Sequence, residues 1–498
     1  MKQDLKYVYD VENELALLDH ARSLLFWDKQ CYMPQGGSKH RAESVALISK
    51  LRHERFSSNK FWQAIQRLHK DSGKLKQKDS IVVERSYKEV SKARKLSPEF
   101  VSEFSKVKSL ADDAWQKARK NSDFSIFLPH LEKVLDYVRK YCELIDKNKP
   151  SYQVLSDDYE EGLGVEKIRK SFEWLKPELI SLLNRIKKSD NYQNNKLLMR
   201  KFPIQGQEKL NSFVIDKMQI PWSLSRLDKA AHPFTSGISP EDVRFTTRYS
   251  DNPFESLTST VHEAGHALYI LGYNKKYENT LSFAAASYGL HESQSRFWEN
   301  AVCKSPQFLR AFYSHFKKEF PQQMKNVSVD DFVLGANDVR PSFIRIEADE
   351  VTYCLHIILR FELELDMLAG KIKLDDLPNL WNEKMKKYFG IEPKNDAEGV
   401  LQDVHWSWGA VGYFPSYAIG SIYYSQIDRA MRKEHANYDK LLGTMNFKPL
   451  LDWLRTNIHS YNNIITAEEI MKKATGSGLD PKVYIDYLDA KYSEIYDL

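Results

Sequence analysis

Over the first two hundred residues apolar positions recur every three and four places, with charged residues between them. The stretches FVSEFSKVKSLADDAWQKARK (100–120) and FLPHLEKVLDYVRKYCELIDK (127–147) are examples. That period predicts amphipathic helices, each with one buried stripe, separated by short breakers such as Met33-Pro34-Gln35-Gly36-Gly37. The many charges on these helices are expected to form a solvated outer face. From Trp222 to Ser250 the texture changes to glycine and proline turns around an alternating, β-branched run, Val243 to Tyr249, which predicts a small sheet. Helical spacing resumes at Asn252-Pro253-Phe254-Glu255, which offers an N-cap, a proline at the first helical position and a glutamate at the third. A helix is therefore expected from near Pro253 to near Gly272, a residue suited to a helix C-terminus. There is no repeat and no low-complexity linker, so the halves are expected to be two lobes of one helical body, a single domain over residues 1–498.

Inside that helix lies VHEAGHAL, residues 261–268. Residues i and i+4 stand one above the other on a helix, so His262 and His266 can aim imidazole nitrogens at one ion while Glu263 faces the same side. Given the 14 histidines of the chain, an accidental HExxH arises about 0.03 times in this length. A catalytic divalent metal takes three protein ligands and leaves a place open, so a third ligand is expected from a following helix. The segment YGLHESQSRFWENAV (288–302) supplies two candidates, Glu292 and its neighbour His291, which point about 100° apart on a helix.

Composition narrows the classes without adding chemistry. The 498 residues carry 73 basic and 68 acidic side chains, a formal charge of +5 with no cationic tract, which argues against a nucleic-acid partner. The four cysteines, Cys31, Cys142, Cys303 and Cys354, are isolated and read as ordinary thiols of a reducing compartment. The first twenty residues carry acidic groups where a signal peptide has its apolar run, and no apolar stretch of about 18 residues occurs. A soluble cytoplasmic protein without a membrane partner is expected.

Six short motifs occur in order: His232-Pro233-Phe234, Asp242-Val243-Arg244-Phe245-Thr246, the HExxH of residues 262–266, His291-Glu292-Ser293-Gln294, Ile344-Arg345-Ile346-Glu347-Ala348-Asp349, and Gly399 to Trp406 (GVLQDVHW). Together with the N-terminal LLFWDKQCYMPQGG (24–37), they make the chain resemble the carboxypeptidase Taq family of metallocarboxypeptidases over essentially its whole length.

The resemblance implies a mostly α, two-lobed helical body around a deep central groove, similar to neurolysin and angiotensin-converting enzyme, with the small β-sheet beside the HExxH helix. It also implies a homodimer, one Zn2+ per chain with Co2+ as a possible substitute, and Glu292 as the third ligand beside His262 and His266. The activity implied is removal of C-terminal residues, one at a time and with broad specificity, from peptides with a free C-terminus. Glu263 would accept a proton from the attacking water and pass it to the leaving amine. By resemblance to the more distant angiotensin-converting enzyme, His405 and Tyr417 would stabilise the oxyanion, with Tyr413, Tyr423 and Tyr424 close by in the sequence. An exopeptidase must also hold a carboxylate, for which Arg345 is the first choice; Arg244 would share that work or buttress the groove through Asp242. His232 is placed near the site by resemblance only.

Several zinc peptidases have an acidic residue four places after the glutamate ligand to brace a histidine. Here that place holds Arg296, so the brace is expected from Asp349 or Glu299. The rival readings are an endo-acting oligopeptidase on the same scaffold and an inactive peptide-binding homologue.

Overall fold

In the computed structural model the chain is a body of α-helices with one three-stranded sheet; all residues are described except 193–196, 198 and 199. The two quoted amphipathic stretches lie in the helices Pro98–Asn121 and Leu128–Asp146. Ser97 caps the first by accepting from Phe100 N, and its buried stripe is Ala111, Ala114 and Ala118. The second buries Leu131, Val134, Leu135, Val138 and Cys142, the three- and four-residue spacing read from the sequence. The breaker at Met33–Gly37 holds a 3₁₀ turn, Gln35–Gly37. Among the described residues no helix is long and apolar enough to cross a membrane.

The apolar core divides unevenly rather than at the chain's midpoint. A small cluster, including Val8, Leu15, Phe61, Ile65 and Val90, is confined to the N-terminal helices, whereas one large cluster runs from Ala111 to Tyr496. Charge on the N-terminal helices does more than face water. The helix Ser38–Phe56 buries no residue fully, and Arg52 and Arg55 tie it to Asp19 and Glu14 of the helix Lys2–Cys31 at 2.8 Å.

The sheet comprises β1 (Ser225–Lys229), β2 (Thr235–Ser239) and β3 (Asp242–Thr247), with β3 central, parallel to β1 and antiparallel to β2. The third strand stops at Thr247 instead of reaching Tyr249, because the chain must turn out of the sheet to reach the N-cap at Asn252. Val243, Phe245, Thr246 and Thr247 are buried, and Thr247 Oγ1 lies 2.7 Å from Thr260 Oγ1 of the next helix.

That helix, Pro253–Leu271, starts as its sequence predicts: Asn252 accepts from Phe254 N at 3.0 Å and Pro253 takes the first position. Glu255 does not close a capping box; it accepts from Ser250 Oγ at 2.7 Å and from the Asn252 side chain. Gly272 ends the helix for a reason other than left-handed backbone. Its φ is −88°, but a Cβ there would lie 2.3 Å from His459 Nδ1, so only glycine admits that ring.

Candidate metal centre and active site

Three helices meet at the HExxH turn, and three glycines let them approach. A Cβ on Gly265 would stand 2.7 Å from Ser295 Cα in the helix Tyr288–Arg296. One on Gly420, in the helix Pro415–Glu434, would stand 2.8 Å from Cβ and Cγ of Glu292. Gly289 faces Ile419 and the Glu160 carboxylate, at 2.7 and 2.9 Å from where its Cβ would be. Glu160 is buried and accepts from Gly289 N at 2.5 Å and Ser416 Oγ at 2.6 Å, clamping the second helix to the third. Burial pushes its carboxyl up to about 7, against the pull of these donors.

At this junction the Nε2 atoms of His262 and His266 each lie 3.6 Å from Oε2 of Glu292, and all three donors fall within 4.8 Å of one another. Zinc bonds of about 2.0–2.2 Å at tetrahedral angles would separate ligand atoms by roughly 3.5 Å, so two imidazoles and a carboxylate so spaced fit one such ion. His291 takes no part in this cluster. Its ring stacks on His266, centroids 4.2 Å apart, and burial holds its pKa well below the usual histidine value.

The partners of the cluster are now visible. Glu299, on a π-helical stretch Phe297–Cys303 that continues the Glu292 helix, takes His262 Nδ1 at 2.8 Å. Asp349 is committed elsewhere, accepting from the backbone amides of Arg340, Val351 and Thr352 and from the Thr352 hydroxyl. Burial opposes charge on His262, but Glu292, Glu299 and Glu263 outweigh it and raise its pKa to about 9. Glu263 is buried to 8 % exposure, and the Thr235 hydroxyl of β2 lies 2.7 Å from its Oε2 and 2.8 Å from its carbonyl oxygen. Sequence reasoning passed over Thr235, although it directly follows His232-Pro233-Phe234. His232 itself is exposed, three residues before the strand residue that touches Glu263.

A second cluster adjoins the first. His405 Nε2 lies 3.3 Å from the Tyr417 hydroxyl, and the Tyr413 ring is 5.2 Å from Tyr417 and 5.5 Å from His405. Burial lowers the His405 pKa to about 4; Asp403 opposes this while Arg345 and Arg360 add to it, so the imidazole is neutral at pH 7. Burial also keeps the phenols of Tyr413 and Tyr417 protonated, and the charge on Glu292 acts on both in the same direction.

Arg345 is buried at 6 % exposure, stacked 4.8 Å from the Tyr417 ring centre, with Nε and Nη2 on Asp403 at 3.1 and 2.9 Å. Gln402 Oε1 accepts from Arg345 N at 2.8 Å, which joins two of the six motifs directly. Arg360, which no motif marked, brings a second guanidinium to the same carboxylate, Nε to Oδ2 at 2.8 Å. Two buried cations thus share one anion. Arg244 is engaged outside this cluster: it pairs with Asp242 at 2.8 and 2.7 Å and covers the Trp27 ring at 4.1 Å, joining the N-terminal helix to the sheet.

Comparison with known proteins places these observations among relatives. The family model described as carboxypeptidase Taq (M32) metallopeptidase matches residues 8–492. The chain is 35% identical over 492 residues to carboxypeptidase 1 of Bacillus subtilis (strain 168), covering 99% of this chain and 98% of the relative. It is 36% identical over 493 residues to thermostable carboxypeptidase 1 of Pyrococcus furiosus, covering 98% of each. It is also similar to the crystal structure of an M32 carboxypeptidase from Deinococcus radiodurans R1, with a TM-score of 0.97, 32% identity and complete coverage of both chains.

Proposed function

The chain belongs to the carboxypeptidase Taq family of metallopeptidases, and from that premise we propose that it is a zinc-dependent carboxypeptidase releasing single residues from the free C-termini of peptides. The observation that carries this reading is the meeting, at 3.6 Å, of two imidazole nitrogens from the helix that also presents Glu263 with one carboxylate oxygen from the helix Tyr288–Arg296.

His262, His266 and Glu292 would hold the ion, and zinc bound there supplies Lewis-acid polarisation of the scissile carbonyl and makes water more acidic. Glu263 takes the proton of the attacking water and returns it to the leaving nitrogen. The Thr235 hydroxyl, 2.7 Å from Oε2, holds that carboxylate in one orientation for both transfers. Oxyanion charge develops as the carbonyl is attacked, and Tyr417, with the neutral His405 at 3.3 Å from its hydroxyl, donates to it. Arg345 recognises the terminal carboxylate. Its support is the surplus positive charge of Arg345 and Arg360 on the single Asp403, which a second carboxylate would neutralise. Arg244 acts as a buttress through Asp242 and Trp27, and His232 contributes at the rim of the groove.

The same reading makes the helical body one catalytic domain of two lobes around a groove, and the active form a homodimer in the cytoplasm. The free, isolated cysteines support a reducing compartment. Cobalt is an acceptable substitute for two imidazoles and a carboxylate.

The test is hydrolysis of an N-blocked peptide with a free C-terminus beside the same peptide amidated, each with and without chelator, followed by mass spectrometry. Stepwise loss of C-terminal residues, abolished by chelation and by amidation, is expected. Internal cleavage of both peptides would make the protein an oligopeptidase and remove Arg345 from its role. No cleavage with metal bound would leave a peptide-binding protein.

A further inference from the structure

The two oxygens of Glu292 face different partners. Oε2 lies 3.6 Å from both histidine Nε2 atoms, while Oε1 accepts from Arg296 Nε at 2.9 Å. Arg296 stands one helical turn beyond Glu292, so its side chain crosses the same face. It is not free to swing away: its guanidinium lies 3.8 Å from the Tyr353 ring centre, and the Tyr353 hydroxyl is in turn 3.3 Å from Arg345 Nη1. Gly420 closes the opposite flank of Glu292, where even a methyl group would collide with its Cβ and Cγ. The carboxylate is therefore pinned from two sides in one orientation.

A carboxylate can bind a divalent ion through one oxygen or through both, and the second mode uses a coordination position that a hydrolytic site needs for water and the substrate carbonyl. We propose that Arg296 is a positioning residue that occupies Oε1 and so confines Glu292 to one-oxygen ligation, keeping that position open. This rests on the reading of His262, His266 and Glu292 as the metal ligands. It also accounts for a basic residue where related peptidases carry an acid: with Glu299 bracing His262, the place four residues after the ligand is available to a group that holds the ligand itself.

The test uses the full-length protein, with zinc affinity from competition against a chromophoric chelator and the visible absorption of the cobalt(II) form. Wild type, Arg296→Gln, Arg296→Lys and Glu292→Gln are compared, and thermal unfolding of each apo form reports its folding. In Arg296→Gln, loss of the neighbouring cation and release of Oε1 to the ion are expected to tighten zinc binding about tenfold. Its cobalt absorption is expected to fall as the coordination number rises. Arg296→Lys should show the same spectral change, because an ammonium lacks the planar fork that engages one oxygen in a set direction.

A folded variant, Gln or Lys, with wild-type affinity and spectrum overturns the proposal. So does loss of folding in both, since Arg296 would then be a structural support. The underlying reading fails separately: Glu292→Gln would bind zinc as tightly as wild type, with an unchanged cobalt spectrum.

Discussion

His262 Nδ1 and Glu299 Oε2 stand 2.8 Å apart although 37 residues separate them. The contact fixes which ring nitrogen of His262 is turned toward Glu292, and a carboxylate there raises the basicity of that nitrogen. Glu299→Gln keeps an acceptor but removes the charge, and zinc affinity should drop about tenfold with the fold retained. Competition with a chelator measures it; wild-type affinity would show that the pair is only structural.

Glu263 and Thr235 should separate catalysis from metal binding. Glu263→Gln is expected to retain zinc while kcat falls by roughly 10²–10⁴. Thr235→Val keeps the volume and removes the hydroxyl that lies 2.7 Å from Oε2, so kcat should fall about tenfold with KM unchanged. An unaltered kcat in Thr235→Val would mean that Glu263 needs no such support.

Tyr417 and Tyr413 compete for one role. If Tyr417 is the donor, Tyr417→Phe lowers kcat by about 10²–10³ without raising KM, and Tyr413→Phe has a much smaller effect. Steady-state kinetics of the two variants on one peptide decide the matter, and the reverse order of effects would transfer the role to Tyr413.

Gly265 should be intolerant of any side chain. In Gly265→Ala the new methyl meets backbone at 2.7 Å, which costs about 1–3 kcal/mol and pushes the Glu292 helix away from both histidines. Thermal unfolding and zinc affinity should both decline. Gly36→Ala, with nothing within 4 Å of its Cβ, is the control and should change neither.

Glu160 carries a pH signature. Its pKa rises from 4.5 to about 7 through burial, so between these values the folded protein keeps a proton that the unfolded chain has released. The stability this group contributes is complete below pH 4.5, declines through the window and is gone above about pH 7, a change of up to about 3 kcal/mol. Glu160→Gln mimics the protonated form. Its melting temperature relative to wild type should therefore rise from pH 5 to pH 8, and a constant difference would refute the assignment.

What could be read from the sequence was local in the chain. The helix at Pro253, its cap at Asn252 and the shared face of His262 and His266 follow from spacing within one or two turns, because a helix places i and i+4 together whatever surrounds it. The ordered motifs carried the family, and so the expectation of Glu292 and Arg345 in one site, while His405 rested on resemblance to the more distant angiotensin-converting enzyme. What only the tertiary structure decided were partnerships made across the chain. Choosing Glu299 over Asp349 required knowing how the π-helical turn is rotated and that Asp349 is spent on backbone amides. Gly272 was read as a helix stop, yet it is glycine because His459, 187 residues on, packs against it. Arg345 could be named as a carboxylate binder, but its pairing with Asp403 and the Arg360 that shares that carboxylate could not. Electrostatics and steric exclusion act through space, and a sequence states distance along the chain only.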